Sequence, residues 1–168
     1  MLGLITGSGF YDLPGLEDAV DRQVETPYGV VSLVYATWNG CPVVFLPRHG
    51  ADHSVPPQRI PYRANLWALH QAGARAVFAT AVSGGINPGY RNGELVLIDQ
   101  FINLTNGRDD TFFDEEVRHT DMTEPYDRDL RQVLSEVAAS EGVDLVDGGT
   151  YVCANGPRFE TPAEISMY

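Results

Sequence analysis

The chain has 168 residues, of which 43% are hydrophobic and 20% are charged, and its formal net charge is −12. A chain of this length can bury roughly two-thirds of the surface that its unfolded form exposes, so we expect one globular domain over residues 1–168. The acidic charge disfavours a nucleic-acid partner, because contacts along a phosphate backbone need lysines and arginines. No apolar run approaches the roughly 18 residues of a membrane span, and no basic residue precedes the short apolar start of the chain. We therefore expect a cytoplasmic protein with no membrane association.

Strands and helices are predicted to alternate along the chain. In the first half, strands are predicted at residues 3–6, 30–37 and 41–46, a helix at 62–72 and a buried strand at 74–82. The pair Asn39-Gly40 predicts a hairpin turn between the second and third of these strands. In the second half, strands are predicted at residues 94–101 and 149–154, and helices at 127–140 and from 162 onward. This order indicates an α/β fold with ligands bound at the strand ends.

Two glycine-containing turns follow predicted strands. At residues 6–9, glycines let successive backbone N–H groups point at one anion, and Ser8 adds a hydroxyl donor. A plain turn between strand and loop is the alternative. A dinucleotide-binding fingerprint is not expected, because Asp12 stands where the third glycine would be. The turn at residues 83–85 exposes backbone N–H groups in the same way, and a simple strand end is again the alternative.

Arg48 and His49 follow the strand predicted at residues 41–46. The planar arginine fork matches phosphate oxygens, and histidine can add a donor, whereas an ordinary ion pair with a carboxylate is the alternative. His49 and His53 have the spacing of a helical zinc site, but Gly50 and the prolines that follow disfavour a helix there. We expect no metal.

The segment at residues 156–161 combines a rigid turn with an aromatic ring and a carboxylate. Phe159 can stack on a flat heterocycle, and an ionised Glu160 can accept hydrogen bonds from N–H groups at the ring edge. The alternative for Glu160 is an ordinary carboxylate at a helix N-terminus, where the helix dipole stabilises it.

Together these segments resemble the trimeric purine nucleoside phosphorylase superfamily, in particular its methylthioadenosine phosphorylase branch. The resemblance is carried in order by residues 5–9, 26–29, 48–50, 61–69, 99–102, 149–152 and 156–159. It implies a nucleoside phosphorylase-like fold with a mixed central β-sheet flanked by helices. It also implies a homotrimeric pentosyltransferase of purine salvage, which uses inorganic phosphate as co-substrate and needs no cofactor. The products would be free purine and ribose 1-phosphate or its 5-methylthio form.

The resemblance also implies roles for individual residues. The phosphate-contacting positions are Ser8, Arg48, His49, Ala81 and Val82. The substrate-binding positions are Tyr151 near the sugar, Phe159 on the base, Glu160 at the base-selecting position and His119, which reaches the 5′ end in a neighbouring subunit. The family usually has Asn or Thr at the position of Ala81 and Ala at that of Val82, so only backbone contacts are expected from these two residues.

Glu160 is the departure that bears on the substrate. Methylthioadenosine enzymes typically carry a small hydroxyl residue there, whereas glutamate is the pattern of 6-oxopurine enzymes, including methylthioinosine phosphorylases. A 6-oxopurine donates its N1–H to a carboxylate, but N1 of adenine is an acceptor, and a mismatched polar site can discriminate by about 10⁴-fold. We therefore expect inosine, guanosine or methylthioinosine, with methylthioadenosine as the alternative. His53 after residues 48–50 favours the methylthio branch.

The last departure concerns length. The family continues beyond Tyr168, where it carries the group that protonates purine N7, so we expect an incomplete phosphorylase domain truncated at its C-terminus and assign no catalytic residue within the chain. One alternative is a truncated, inactive fragment that binds nucleoside or phosphate. Another is a hydrolase in which water replaces phosphate.

Overall fold

The computed structural model describes residues 1–7, 13–50, 52 and 54–168. These residues form two compact units. The first unit comprises Met1–Ser83 and Asp109–Phe112, and the second comprises Gly84–Arg108 and Phe113–Tyr168. The expectation of one domain over the whole chain stays a prediction.

The first unit is built on a five-stranded mixed sheet. Its elements are β1 (Leu2–Thr6), β2 (Leu16–Thr26), β3 (Gly29–Trp38), β4 (Cys41–Pro47), a 3₁₀ turn (Pro57–Arg59), α1 (Tyr62–Gln71) and β5 (Ala76–Ala79). The strand order is β2-β3-β4-β1-β5. β1 runs parallel to β4 and β5, whereas β3 runs antiparallel to β2 and β4. The predicted α/β class with a mixed central sheet is confirmed.

The core lies on both faces of this sheet because side chains alternate along β4. Val44 and Leu46 belong to the cluster that contains Ala68 and Leu69 of α1. Their neighbours on β4 belong to a second cluster that is centred on Leu4. Successive residues of a strand point to opposite faces, so one apolar strand can serve two cores.

The segment Asp109–Phe112 is held in the first unit by Arg63. The Arg63 guanidinium donates to Asp109 Oδ2 at 2.7 Å and to the Thr111 carbonyl at 3.2 Å, and it lies 4.6 Å from the ring centre of Tyr28. Phe112 packs edge-on against Tyr28 with ring centres 5.7 Å apart. The segment Asp109–Phe112 is therefore held by hydrogen bonds from the Arg63 guanidinium and by the contact between the Phe112 and Tyr28 rings.

Two features of the first unit differ from the sequence predictions. The eleven-residue strand β2 was not predicted, because its residues are mostly polar and exposed and carry no apolar alternation. β5 is shorter than the predicted buried strand at residues 74–82, and Val77 and Phe78 are 42% and 40% exposed. The reason is its position at the end of the strand order, where β1 is the only neighbouring strand among the described residues.

The second unit contains two pairs of parallel strands and two helices. Its elements are β6 (Leu95–Leu97), β7 (Gln100–Asn103), α2 (Arg128–Ser140), β8 (Leu145–Asp147), β9 (Thr150–Cys153) and α3 (Pro162–Met167). β6 pairs with β8, and β7 pairs with β9. The single strand predicted at residues 94–101 is therefore wrong. The break between β6 and β7 has two causes. Gly148 has a φ of +95°, which interrupts the backbone between their pairing partners β8 and β9. The side chain of Asp99 accepts a hydrogen bond from the Gly149 N–H at 3.1 Å.

Both predicted helices of the second unit are confirmed, and each begins at a capping side chain. Asp127 accepts from the Leu130 N–H at 2.9 Å, so it closes the first turn of α2. Thr161 caps α3. Within the described part of the chain, no helix has both the length and the apolar character that a membrane crossing requires.

Candidate functional site

Three parallel strands of the first unit end at one edge of the sheet. The last residue of β1, Thr6, pairs in register with Pro47 at the end of β4. The backbone continues this arrangement, because the Arg48 N–H donates to the Thr6 carbonyl at 3.1 Å and the Thr80 N–H donates to the Ile5 carbonyl at 2.9 Å. The chain segments that follow β4 and β5 therefore begin on either side of the end of β1.

Contacts with Thr80 and Gly7 hold the Arg48 side chain at this edge. Its Nη1 donates to the Thr80 carbonyl at 2.8 Å, which joins the end of β4 to the end of β5. Its guanidinium also lies directly against Gly7, where a Cβ atom would come within 2.7 Å of each of its three nearest atoms. A planar, always-charged group is thus held at the strand ends, and glycine at position 7 is what leaves room for it.

His49 is folded into the loop that follows Arg48. It is only 7% exposed, and its Nδ1 lies 3.0 Å from the Val55 carbonyl oxygen. The Val55 N–H in turn donates to the His49 carbonyl at 2.8 Å. The imidazole is therefore positioned by the backbone of its own loop.

The other predicted phosphate contacts fall in the segment after β5. Ala81 and Val82 are exposed, Val82 at 80%, and they follow the residue whose carbonyl binds Arg48. Their side chains contain no polar atom, so any hydrogen bond to an anion must come from the backbone. The structure therefore brings this segment and Arg48 together at one edge, while Ser8 lies outside the described residues.

In the second unit, Tyr151 lies half-buried on β9, where it pairs in register with Phe101 of β7. The ring of Tyr126 packs edge-on against Phe101, with ring centres 6.4 Å apart. Burial raises the pKa of the Tyr126 phenol, and the neighbouring Tyr151 and Cys153 raise it further. Tyr126 was not singled out by sequence reasoning, because nothing in its local sequence indicates this neighbourhood.

The turn at residues 156–161 carries the predicted base-binding pair. The Gly156–Pro157 peptide bond is cis. Phe159 is 95% exposed and Glu160 is also exposed, so a ring face and a carboxylate are both open to a ligand. Beside the turn lies a cavity of about 540 Å³, lined by Leu104, Asn106, Ala154, Asn155, Gly156, Pro157, Arg158, Glu164 and Tyr168.

The backbone of this turn is tied to the start of α3. Glu164 accepts a hydrogen bond from the Thr161 N–H at 2.7 Å, and its own N–H donates to Thr161 Oγ1 at 3.2 Å. Arg158 forms a bidentate pair with the Glu164 carboxylate at 2.8 and 2.6 Å. Sequence reasoning missed this arrangement, although Thr161 followed three residues later by Glu164 is the sequence pattern of a capping box.

The remaining predictions concern His119 and metals. His119 is exposed in a stretch without helix or strand, and its assignment to a neighbouring subunit stays a prediction. Across residues 1–7, 13–50, 52 and 54–168, no group of three or more His, Cys, Asp or Glu side chains could hold a metal ion. His53 is outside the described residues.

Comparison with known proteins places this geometry in a family. The family model described as the phosphorylase superfamily matches residues 1–168. The chain is 46% identical over 170 residues to the probable 6-oxopurine nucleoside phosphorylase of Dictyoglomus turgidum, covering 99% of the chain and 65% of the relative. It is 43% identical over 170 residues to the probable S-methyl-5'-thioinosine phosphorylase of Methanothermobacter thermautotrophicus, covering 100% of the chain and 59% of the relative.

A solved structure gives the same result. Methylthioadenosine phosphorylase from Schistosoma mansoni, solved in complex with adenine, matches with a TM-score of 0.92 at 34% identity, covering 99% of the chain and 65% of that protein. The chain belongs to the phosphorylase superfamily, and its α/β fold is that of nucleoside phosphorylases. It spans about 65% of the length of the first of these relatives.

Proposed function

We propose that the protein is a purine nucleoside phosphorylase, a pentosyltransferase that cleaves a nucleoside with inorganic phosphate. The observation that carries this proposal is Arg48, which is held at the shared end of three parallel strands by Gly7 and the Thr80 carbonyl. An arginine fork presents paired N–H donors to phosphate oxygens, and charge-assisted hydrogen bonds of this kind are strong. The names of the related proteins support the same reaction.

The chemistry explains why phosphate should be fixed by such a group. The bond between purine N9 and sugar C1′ breaks, and its electron pair leaves with the purine, which takes up a proton. A new bond forms between C1′ and a phosphate oxygen, which gives ribose 1-phosphate or its 5-methylthio derivative. Because the sugar develops positive charge, a phosphate dianion held next to C1′ stabilises the transition state before it captures the sugar. Phosphate is then the co-substrate, and no organic cofactor takes part.

The proposed residue roles follow the two units. In the first unit, phosphate is bound by the Arg48 side chain, by His49 and by the backbone of Ala81 and Val82, with Ser8 as a further donor. In the second unit, Tyr151 contacts the sugar, Phe159 stacks on the purine and Glu160 selects the base. We propose a cytoplasmic homotrimer in which His119 reaches the 5′ end of the substrate bound by a neighbouring copy. We assign none of the described residues to protonation of purine N7.

We propose that 6-oxopurine nucleosides are the preferred substrates. The exposed carboxylate of Glu160 can accept a hydrogen bond from N1–H of inosine, guanosine or methylthioinosine, whereas N1 of adenine would face it as a second acceptor. The second candidate is methylthioadenosine. It is favoured by the likeness to the schistosome methylthioadenosine phosphorylase.

The test is purine release by the purified protein from inosine, S-methyl-5′-thioinosine and S-methyl-5′-thioadenosine, each with and without phosphate, followed by liquid chromatography. We expect phosphate-dependent release of hypoxanthine. Cleavage that ignores phosphate would indicate a hydrolase, and phosphate-dependent thermal stabilisation without turnover would indicate a binding fragment.

The same assay tests base selection. Glu160→Ser should lower kcat/KM for the 6-oxopurine nucleosides by about 10²-fold, because the N1–H donor of the bound purine loses its charged acceptor. Glu115→Ser, in an exposed acidic loop, is the matched control and should leave turnover unchanged. Faster turnover of methylthioadenosine than of methylthioinosine by the unsubstituted protein would overturn the role of Glu160.

A further inference from the structure

The backbone on both sides of Glu160 is anchored to one ion pair, between Arg158 and Glu164. The peptide group before Glu160 ends in the Phe159 carbonyl, which accepts a hydrogen bond from Arg158 Nη1 at 3.0 Å. The peptide group after it contains the Thr161 N–H, which donates to Glu164 Oε2 at 2.7 Å. Arg158 and Glu164 are themselves paired through both carboxylate oxygens. The two backbone torsions of Glu160 lie between these anchored peptide groups, so the direction of its Cα–Cβ bond is set by them.

Arg158 does more here than a helix cap requires. A capping box needs only Thr161 and Glu164, which satisfy each other's backbone N–H groups at the start of α3. The additional bond from Arg158 to the Phe159 carbonyl reaches outside the helix, to the residue that carries the exposed ring. Since a bidentate arginine–carboxylate pair fixes direction as well as distance, it suits the orientation of a turn.

The preceding part of the turn is anchored independently. The Asn106 N–H donates to Asn155 Oδ1 at 3.1 Å, and Asn155 Nδ2 donates back to the Asn106 carbonyl at 2.8 Å. This pairing continues the β7–β9 ladder by way of the Leu104 N–H, which donates to the Cys153 carbonyl at 2.8 Å. The turn therefore starts from a fixed strand end, and its orientation depends on what holds residues 158–161.

We propose that Arg158 and Glu164 form a positioning pair for base selection, which aims Glu160 and Phe159 at the purine without touching it. The inference rests on the proposed phosphorolysis, and it names the residue pair that sets the base specificity of that reaction. If the pair is lost, the Phe159 ring and the Glu160 carboxylate are still present, but the backbone torsions that orient them are free to change. A misplacement of about 1 Å at such a site can cost on the order of 10²-fold in rate.

The experiment compares three variants in steady-state kinetics. Arg158→Ala should raise KM for inosine and lower the inosine-to-methylthioadenosine selectivity by about tenfold or more, while KM for phosphate stays within about twofold. Arg158→Lys should restore the inosine-to-methylthioadenosine selectivity only in part, because lysine offers a point charge instead of a planar fork. Glu164→Gln keeps a capping side chain and loses the charged pair, so it should give the same pattern as Arg158→Ala in weaker form.

The matched control is Arg128→Ala, which removes an exposed arginine paired with Glu124 in the same unit. Its kinetics should equal those of the unsubstituted protein. Unchanged selectivity in Arg158→Ala would overturn the proposal, and so would equal rises in both KM values, which indicate a general structural defect.

A second readout does not depend on turnover. Amide hydrogen exchange of the segment at residues 158–164 should accelerate in Arg158→Ala and not in Arg128→Ala. If the unsubstituted protein shows no phosphate-dependent cleavage, the proposed function fails, and hydrogen exchange still decides whether Arg158 holds the turn. Identical exchange rates of this segment in Arg158→Ala and in the unsubstituted protein would show that Arg158 does not hold the turn.

Discussion

Replacement of Gly7 by alanine tests how the proposed phosphate site is built. A Cβ atom at this position would lie within 2.7 Å of each of the three nearest guanidinium atoms of Arg48, whereas ordinary van der Waals contact begins at 3.4 Å. The φ of Gly7 is outside the left-handed range, so the backbone itself accepts alanine. The three nearest atoms all belong to Arg48, so among the described residues it is the Arg48 side chain that must move.

The magnitude follows from the contact that this movement breaks. Arg48 Nη1 donates to the Thr80 carbonyl at 2.8 Å, and a hydrogen bond from a charged group contributes about 1.5–3 kcal/mol. If phosphate binding has to restore the position of the guanidinium, its affinity should fall by about 10- to 100-fold, since each 1.4 kcal/mol is a factor of about ten. KM for the nucleoside, measured at saturating phosphate, should change little.

The assay is a double-mutant cycle on the phosphate dissociation constant, measured by titration calorimetry. Gly7→Ala and Arg48→Ala should each weaken binding, and the double variant should be no weaker than Arg48→Ala alone, because the alanine at position 7 then has nothing to displace. Unaltered phosphate binding in Gly7→Ala would refute the reasoning. Simple additivity of the two losses would also refute it, since Gly7 would then act independently of Arg48.

Three further predictions concern stability. Leu69→Ala should lower the free energy of unfolding by about 2–5 kcal/mol in urea titrations, because Leu69 is only 1% exposed in the core beneath α1. Asp127→Ala should cost about 1 kcal/mol in the same measurement, because α2 loses the side chain that closes its first turn. The hydrogen bond from Arg158, followed by that from the Thr161 backbone, lowers the pKa of Glu164 from 4.5 to about 2. A depressed carboxylate pKa stabilises the folded state above pH 4.5, so the difference in Tm between the unsubstituted protein and Arg158→Ala should vanish as the pH falls from about 4.5 to about 2.

Each of these has its own control. Leu66→Ala on the same helix removes a side chain that is 47% exposed and should cost less than Leu69→Ala. Asp127→Asn should retain most of the stability, because asparagine also caps helices. Besides Glu164, the ionisable groups that raise the pKa of Arg158 are Tyr168 and, to a smaller extent, Glu160. Glu160→Gln is the control for this weaker interaction, and the pH dependence of Tm should persist in it because the pair between Arg158 and Glu164 is intact. Equal losses in the free energy of unfolding for Leu69→Ala and Leu66→Ala would contradict the first prediction. A difference in Tm between Arg158→Ala and the unsubstituted protein that persists at pH 2 would contradict the third.

The local elements of the fold could be predicted where the sequence pattern was strong. Asn39-Gly40 predicted the hairpin between β3 and β4, and both residues adopt positive φ, at +48° and +75°, as the turn requires. The helix α2 was predicted from its apolar periodicity and its start at Asp127. These signals are short-range, because a turn or a helix cap is decided by residues that adjoin in sequence.

Predictions that depended on burial were less successful. The apolar run that contains β5 predicted a buried strand, but Val77 and Phe78 are each about two-fifths exposed. β2 was missed because most of its residues are polar and exposed, so its own segment does not show the pairing with β3 that makes it a strand. A side chain's environment depends on which elements cover it, and this information does not lie in its own segment.

The sequence by itself determined the family, through the order of its segments, and the residue types on which the proposed site depends: an arginine after β4, and an aromatic residue beside a carboxylate at residues 159–160. Only the tertiary structure decided how they are held. It placed Arg48 against Gly7 and the Thr80 carbonyl, and it joined Arg158 to Glu164 around Glu160. The physical reason is that residue type fixes which hydrogen bonds a group can make, whereas the pairing of distant strands and the closure of a turn fix where that group points.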